Sequence, residues 1–261
     1  MITRIITGLV LIGIGVTVIN LGGLPLFAWV AVVSILCAYE LINMAKKADI
    51  KTYEPVVYGV VGLSLASLLT PVGLIIWKSF PVLVVVSSVV LLAFYELKKK
   101  KVFFPRSKAL ATLRIILFVS GTFPFVFLVR EGQNGFVNFL FAVVLIWVCD
   151  IAALFGGRAF GRTPLSALSP KKTVEGSVIG FFVSLIAAGI IIHCCHLPTL
   201  PYLILGSCVV IISQIGDLHE SLVKRFFGVK DSSNILPGHG GIYDRADSTM
   251  FVMPLLFYFF N

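Results

Sequence analysis

Charge is what this sequence has least of. Only 13% of its 261 residues are Asp, Glu, Lys or Arg, while 58% are hydrophobic, and the mean hydropathy is +1.03. An ordinary soluble domain, with about 25% charged residues, is excluded. The residue-by-residue apolar–polar alternation of a membrane β-barrel is missing as well. The five cysteines (Cys37, Cys149, Cys194, Cys195, Cys208) form no CxxC pair and lie in or beside apolar runs, so they are expected to be small buried hydrophobes rather than a disulfide framework. No Ala-x-Ala-like site follows the first apolar run, Ile5 to Val18, which is therefore read as a retained helix and not as a cleaved signal. There is no Walker A spacing, no internal repeat and no soluble domain.

What is present is a series of apolar runs near bilayer-crossing length. An all-α polytopic integral membrane protein follows, because a helix satisfies its own backbone hydrogen bonds in lipid. The runs give about nine spans: 5–20, 24–44, 55–70, 74–97, 109–129, 136–155, 177–195, 199–219 and a last one near 245–261. All of the 21 basic residues except Lys78, Arg114 and Arg130 fall at the ends of spans that share one side. The positive-inside rule then puts the N-terminus in the cytoplasm. It also assigns the net charge of +9 to topology and anionic head groups, not to nucleic acid. The run Lys98–Lys101 is read in the same way. The last span is short: either its helix starts early and draws in Arg245 and Asp247, or the chain ends short of a full crossing. Residues 1–130 form an N-terminal set of helices and 131–261 a C-terminal set, within one membrane domain. The outward connections are short. Two inward ones, 156–176 and 220–246, are long and polar, and function is expected there.

The eighth span ends in SQIGDLHESLVKRFFGVKD, where Gln214, Asp217, Ser221 and Lys224 recur at helical spacing on one face, with Glu220 beside Ser221. Ionisable groups in a span are costly and mark a functional pathway or a paired cluster. Simple pairing of Asp217 and Glu220 with Lys224 and Arg225 would explain this stretch alone. It does not explain Asp231, Asp244 and Asp247, which follow closely, or Asp150 at the end of the sixth span. Carboxylates gathered at one interface repel unless a cation lies between them, and Mg²⁺ takes carboxylate oxygens while leaving positions for phosphates. Lys171, Lys172, Lys224, Arg225, Lys230 and Arg245 supply partners for phosphate, and the glycines of LPGHGGIYDRADS allow close backbone approach. Together they describe metal-assisted phosphoryl or nucleotidyl transfer. The other polar loop, GGRAFGRTPLSALSPKKTVEG, fits topology and glycine packing between helices equally well. HCCH at 193–196 has metal-like residue types but lies at the outer end of its span, away from every other polar group, and is read as structural.

The stretch SLVKRFFGVKDSSNILPGHGGIYDRAD, Ser221 to Asp247, resembles the signature of the phosphatidate cytidylyltransferases, or CDP-diacylglycerol synthases. That signature is S-x-x-K-R-x4-K-D, a spacer, then P-x-H-G-G-x-x-D-R-x-D, and every fixed position is matched. GDLHES, SPKKTVEG and the D-x-x-A-x-x-x-G from Asp150 are also similar to the family, so the likeness covers the C-terminal half closely. It implies transfer of CMP from CTP to phosphatidate, giving CDP-diacylglycerol and pyrophosphate, with Mg²⁺ required. It also implies a homodimer and a place in a bacterial inner (cytoplasmic) membrane. The distribution of basic residues, independently, puts the motif loops and so the active site on the cytoplasmic side. Asp217 and Asp244 would be the principal metal ligands, followed by Asp247, Asp150 and Asp231, in a two-metal site where a monovalent ion can take one position. Lys224, Arg225 and Arg245, with Lys171, Lys172 and Lys230, would hold phosphates. Ser221 would orient Asp217 or a phosphate oxygen, and Gly240 and Gly241 would let the loop close on the substrate. His239 either donates to a phosphate oxygen or bonds a backbone carbonyl. Two rivals use the same residues: CTP-dependent transfer to another lipid phosphate, and an ion-coupled transporter, which would show repeated halves and charges near the midplane.

Overall fold

The computed structural model describes residues 2–70, 77, 107–166 and 169–260. Among these the chain is all-helical, apart from two isolated β-bridges, Pro164 with Thr173 and Leu236 with Gly240. The helices are α1 (Ile2–Leu21), α2 (Gly23–Lys47), α3 (Glu54–Ser67), α4 (Lys108–Ser120), α5 (Pro124–Glu131), α6 (Gly135–Phe160), α7 (Val174–Cys194), α8 (Thr199–Phe226) and α9 (Tyr243–Phe260). Five stretches are long and apolar enough to cross a membrane: α2, α4 with α5 (Lys108–Glu131), α6, α7 and α8. Residues 6–21 of α1 and all of α3 are shorter apolar helices. The expected span 74–97 and the run Lys98–Lys101 lie outside the described residues, save Trp77.

Several boundaries differ from the expected spans, each for a local reason. The run 109–129 is two helices, not one, because Gly121 ends α4 and Pro124 opens α5 at a position where its missing N–H costs nothing. The inward loops are shorter than expected: α6 continues to Phe160 and α8 to Phe226, so the loops are 161–173 and 227–242. Gly156, Gly157 and Arg158 are therefore helical. The last helix does start early, at Tyr243, and carries Asp244, Arg245 and Asp247 in its first turns.

Lipid tails are as apolar as leucine, so helices in a bilayer associate through close packing rather than hydrophobic drive. The most extensive contact is between α6 and α7. It depends on small residues: a Cβ on Gly176 would stand 2.6 Å from the Ala153 carbonyl oxygen, and one on Gly180 would stand 2.9 Å from that of Cys149. The core lies around α9, whose Met250, Phe251, Val252, Met253 and Leu256 are all buried among α2, α5, α6 and α8. Phe251 meets Phe118 of α4 at 5.7 Å between ring centroids, and Phe257 meets Phe125 of α5 at 5.2 Å. Neighbouring helices thus cover a helix whose polar first turns keep it from reading as a full crossing. The expectation for cysteine holds only in part. All five are free, and Cys37 and Cys149 are buried, but Cys194 and Cys195 are exposed at the end of α7, where the helix unwinds.

Candidate active site

The polar residues of α8 descend one side of the helix. Asp217 lies nine residues before the helix ends at Phe226, about 13 Å along the axis. Asp150 lies ten residues before the end of α6, about 15 Å. The acids thus sit well below the helix ends, inside a cleft rather than on a rim. Lys224 pairs with Glu220 one turn earlier on α8, and its ammonium also donates to Asp244 Oδ1 of α9 at 3.1 Å. Lys224 therefore ties the two carboxylate-bearing helices together.

The loop 227–242 delivers the start of α9. Asp244 accepts from the backbone N–H of Gly241 at 2.9 Å and of Ser232 at 3.1 Å. Glu40, on α2 and fully buried, accepts from Ser232 Oγ at 3.0 Å, Ser233 Oγ at 2.6 Å, Ile242 N at 2.9 Å and Tyr243 N at 2.8 Å. Gly241 is required by this crowding. A Cβ there would stand 1.9 Å from Ser232 Oγ and 2.6 Å from a Glu40 oxygen. The loop's amides cradle anions, as its glycines suggested, but the anions they hold are the protein's own carboxylates. The ring of His239 lies against Gly8 of α1, and its carbonyl accepts from Arg245 Nε at 3.0 Å.

The second loop brings Lys172. Thr173 caps α7 by accepting from Gly176 N at 3.1 Å, and Glu175 accepts from the amides of Arg162 and Thr163 at 3.1–3.2 Å. Leu165 N donates to Lys172 O at 2.7 Å, closing a small antiparallel turn. So held, Lys172 forms an ion pair with Asp217. Burial pushes the Lys172 ammonium below its ordinary pKa, and the nearby carboxylates of Asp247, Asp150 and Glu220 push it back up.

Asp217, Glu220 and Asp247 each present a carboxylate oxygen within 4.8 Å of the other two. They lie on a polar cavity of about 560 Å³, in the size range of small-molecule sites. Asp150, Ser221, Lys224, Arg225, Lys230, Asp231, Asp244 and Arg245 also line it. A second cavity of about 550 Å³ opens between α6, α7 and α8 and shares Asp150 and Asp217 with the first. Its wall mixes Lys171, Lys172, Ser177 and Gln214 with Ala153, Leu154 and Leu165. All but three of the residues expected from sequence thus line one of two adjoining cavities. His239, Gly240 and Gly241 line neither. Three hard carboxylates this close suit Mg²⁺, which takes one or two such ligands and shares the rest of its sphere with water and phosphate.

The family model described as the cytidylyltransferase family matches residues 2–261. The chain belongs to that family. It is 32% identical over 260 residues to the phosphatidate cytidylyltransferase of Staphylococcus aureus (strain COL), covering 97% of this chain and 96% of that protein. It is 33% identical over 264 residues to the phosphatidate cytidylyltransferase of Bacillus subtilis (strain 168), covering 98% and 96%. A phosphatidate cytidylyltransferase of Synechocystis (strain ATCC 27184 / PCC 6803 / Kazusa) is 45% identical over 131 residues, covering 48% of this chain and 44% of that one.

Two residues that shape this candidate site have no site role from sequence alone: Glu220, which reads there only as a pairing group on the eighth span, and Glu40. Glu220 takes the third place in the carboxylate group, where Asp244 was expected and instead binds Lys224 and the loop amides. Glu40 is the one charged residue between positions 24 and 44, a signal the sequence does carry, since a lone acid in a span has a partner or a task.

Proposed function

We propose that the protein is a phosphatidate cytidylyltransferase of phospholipid biosynthesis, moving CMP from CTP to phosphatidate with CDP-diacylglycerol and pyrophosphate as products. The observation that carries this is the junction of the two cavities. A carboxylate group ringed by basic side chains joins, at Asp150 and Asp217, a second space with both lysines and apolar walls. The first suits a nucleoside triphosphate and the second a lipid phosphate.

In this reading CTP occupies the polar cavity, its β- and γ-phosphates against Arg225, Lys230 and Arg245. Phosphatidate enters the second cavity from the bilayer, its phosphate held by Lys171 and Lys172. A phosphatidate oxygen attacks the α-phosphorus of CTP, the new P–O bond forms as the α–β bond breaks, and pyrophosphate leaves in line. The nucleophile is already anionic, so no strong base is required, and catalysis is positioning and electrostatics. Mg²⁺, held by Asp217, Glu220 and Asp247 with Asp150 and Asp231 near, would supply the positive charge that neutralises the phosphates. Lys224 holds Glu220 and Asp244 in register, and Ser221 faces the same space one turn away. His239 aims Arg245 through its carbonyl.

The cytoplasmic N-terminus, the nine-span count, a bacterial inner membrane and a homodimer belong to the same proposal. The distribution of basic residues supports the first, since it puts both loops on the side where CTP is made available. The test is pyrophosphate release by the purified protein in detergent with CTP, Mg²⁺ and phosphatidate, with each left out in turn and ATP offered instead. Release that requires all three, with a CDP-lipid as second product, is expected. Release without a lipid, or equal turnover of ATP, would refute the reading. A different lipid phosphate acceptor is the second reading, because a lysine-and-apolar cavity does not by itself select the glycerol backbone. Competition between phosphatidate and a polyprenyl phosphate separates the two.

A further inference from the structure

Among the described residues, Glu40 is the one fully buried carboxylate that lines neither cavity. It belongs to α2, about two hundred residues from the loop it touches, and its hydrogen-bond donors are in that loop and at the first residue of α9. Oε1 accepts from Ser233 Oγ and Ile242 N, and Oε2 from Ser232 Oγ and Tyr243 N. Among the described residues no basic side chain pairs with it. Four neutral donors thus hold one buried charge, two of them at the start of α9, where unpaired amides and the helix dipole favour an anion. The donors come from both ends of the stretch 232–243, so Glu40 closes that stretch on itself. Ser232 then extends the link: its hydroxyl goes to Glu40 and its amide to Asp244 at 3.1 Å.

We infer that Glu40 is a positioning residue for cytidylyl transfer: it clamps the stretch 232–243, the end of the loop and the start of α9, so that Asp244, Arg245 and Asp247 face the polar cavity. The assignment rests on the proposed function for its kinetic part only. Glu40 touches no substrate, and its effect passes through the loop. Loss of the clamp moves Arg245, and with it the grip on the nucleotide phosphates, while Lys171 and Lys172, held by the other loop, keep their place.

The test compares wild type with Glu40→Gln, Glu40→Asp and the double variant Ser232→Ala/Ser233→Ala, as full-length proteins in detergent. Glutamine keeps one acceptor oxygen and turns an NH₂ group toward two donors. Hydrogen exchange read by mass spectrometry should speed up in 232–243 for Glu40→Gln and stay as in wild type for α6 and α7. The apparent KM for CTP should rise about tenfold or more, the cost of roughly two accepted hydrogen bonds, while KM for phosphatidate stays within about twofold. Aspartate, which keeps the charge, should recover part of the loss. Unchanged exchange in 232–243, or KM values for CTP and lipid that shift together, would overturn the clamp. If wild type releases no pyrophosphate, the function falls by itself and exchange still decides the clamp. If Glu40→Gln does not fold, the aspartate and double-alanine variants decide the clamp by the same two readouts.

Discussion

Lys172 and Asp217 meet as an ion pair at the boundary between the two cavities, one from the loop before α7 and the other from α8. Asp217 lines both spaces, whereas Lys172 lines only the less polar one. A single ammonium therefore reaches the carboxylate group from the side on which a lipid phosphate would arrive. It can serve Asp217 or the phosphate, but it competes with any other cation for Asp217.

That competition gives a prediction with two signs. In Lys172→Ala the apparent KM for phosphatidate should rise, by about tenfold for one lost charge-assisted contact. The Mg²⁺ concentration for half-maximal rate should fall, because Asp217 no longer shares its oxygens with an ammonium. Initial rates over a lipid series and a Mg²⁺ series read both. A weaker Mg²⁺ requirement without any lipid effect would leave Lys172 as a charge neutraliser alone.

Asp217→Asn should abolish turnover while leaving the fold intact. The side chain keeps its size, and the repulsion relieved among three carboxylates within 4.8 Å is offset by the lost ion pair with Lys172. The unfolding midpoint in detergent should therefore move little as pyrophosphate release disappears. Wild-type turnover in this variant would remove Asp217 from the reaction.

Chelation tests the same group. EDTA should stop pyrophosphate release, and excess Mg²⁺ should restore it without refolding the protein, since Lys224 and the loop amides hold the site together independently of any metal. Added monovalent salt should not substitute for Mg²⁺. Full activity in EDTA would exclude the divalent role of Asp217, Glu220 and Asp247.

Much of this was legible in sequence because the chemistry is local. Asp217, Ser221 and Lys224 follow helical spacing, and Asp244, Arg245 and Asp247 crowd the first turns of α9, so periodicity alone gathers them. What periodicity could not show is partner choice over long range. That Asp244 binds Lys224 and loop amides while Glu220 turns toward Asp247 depends on how α8 and α9 cross. The clamp by Glu40 depends on α2 reaching the far end of the chain. The helix break at Gly121–Pro124 was in plain view, but apolar residues on both sides hid it in a hydropathy reading. The packing reading of the glycines around 156–176 holds: Gly156 and Gly157 lie in α6, and Gly176 in α7 approaches α6 closely, as small residues do where helices meet in lipid.

The glycine loop supplies the last prediction, because the need for close approach can be tested there. Gly241 needs its missing side chain for space: an added Cβ would overlap Ser232 Oγ and press on both Glu40 oxygens, at 2.6 and 2.7 Å. Neither neighbour can withdraw cheaply, since Ser232 is held by Asp244 and Glu40 by the start of α9. Gly241→Ala should therefore destabilise by about 1–3 kcal/mol, the usual cost of overpacking. It should also raise KM for CTP in the same direction as loss of the Glu40 carboxylate. Gly59, inside α3, is the control: nothing lies within 4 Å of its Cβ position, and alanine is the better helix former. Gly59→Ala should leave KM unchanged and the unfolding midpoint level or slightly higher. Combining Gly241→Ala with Glu40→Gln then tests the mechanism, because the two act on one contact. Their effects on KM should fall well short of multiplying, whereas independent roles would multiply in full.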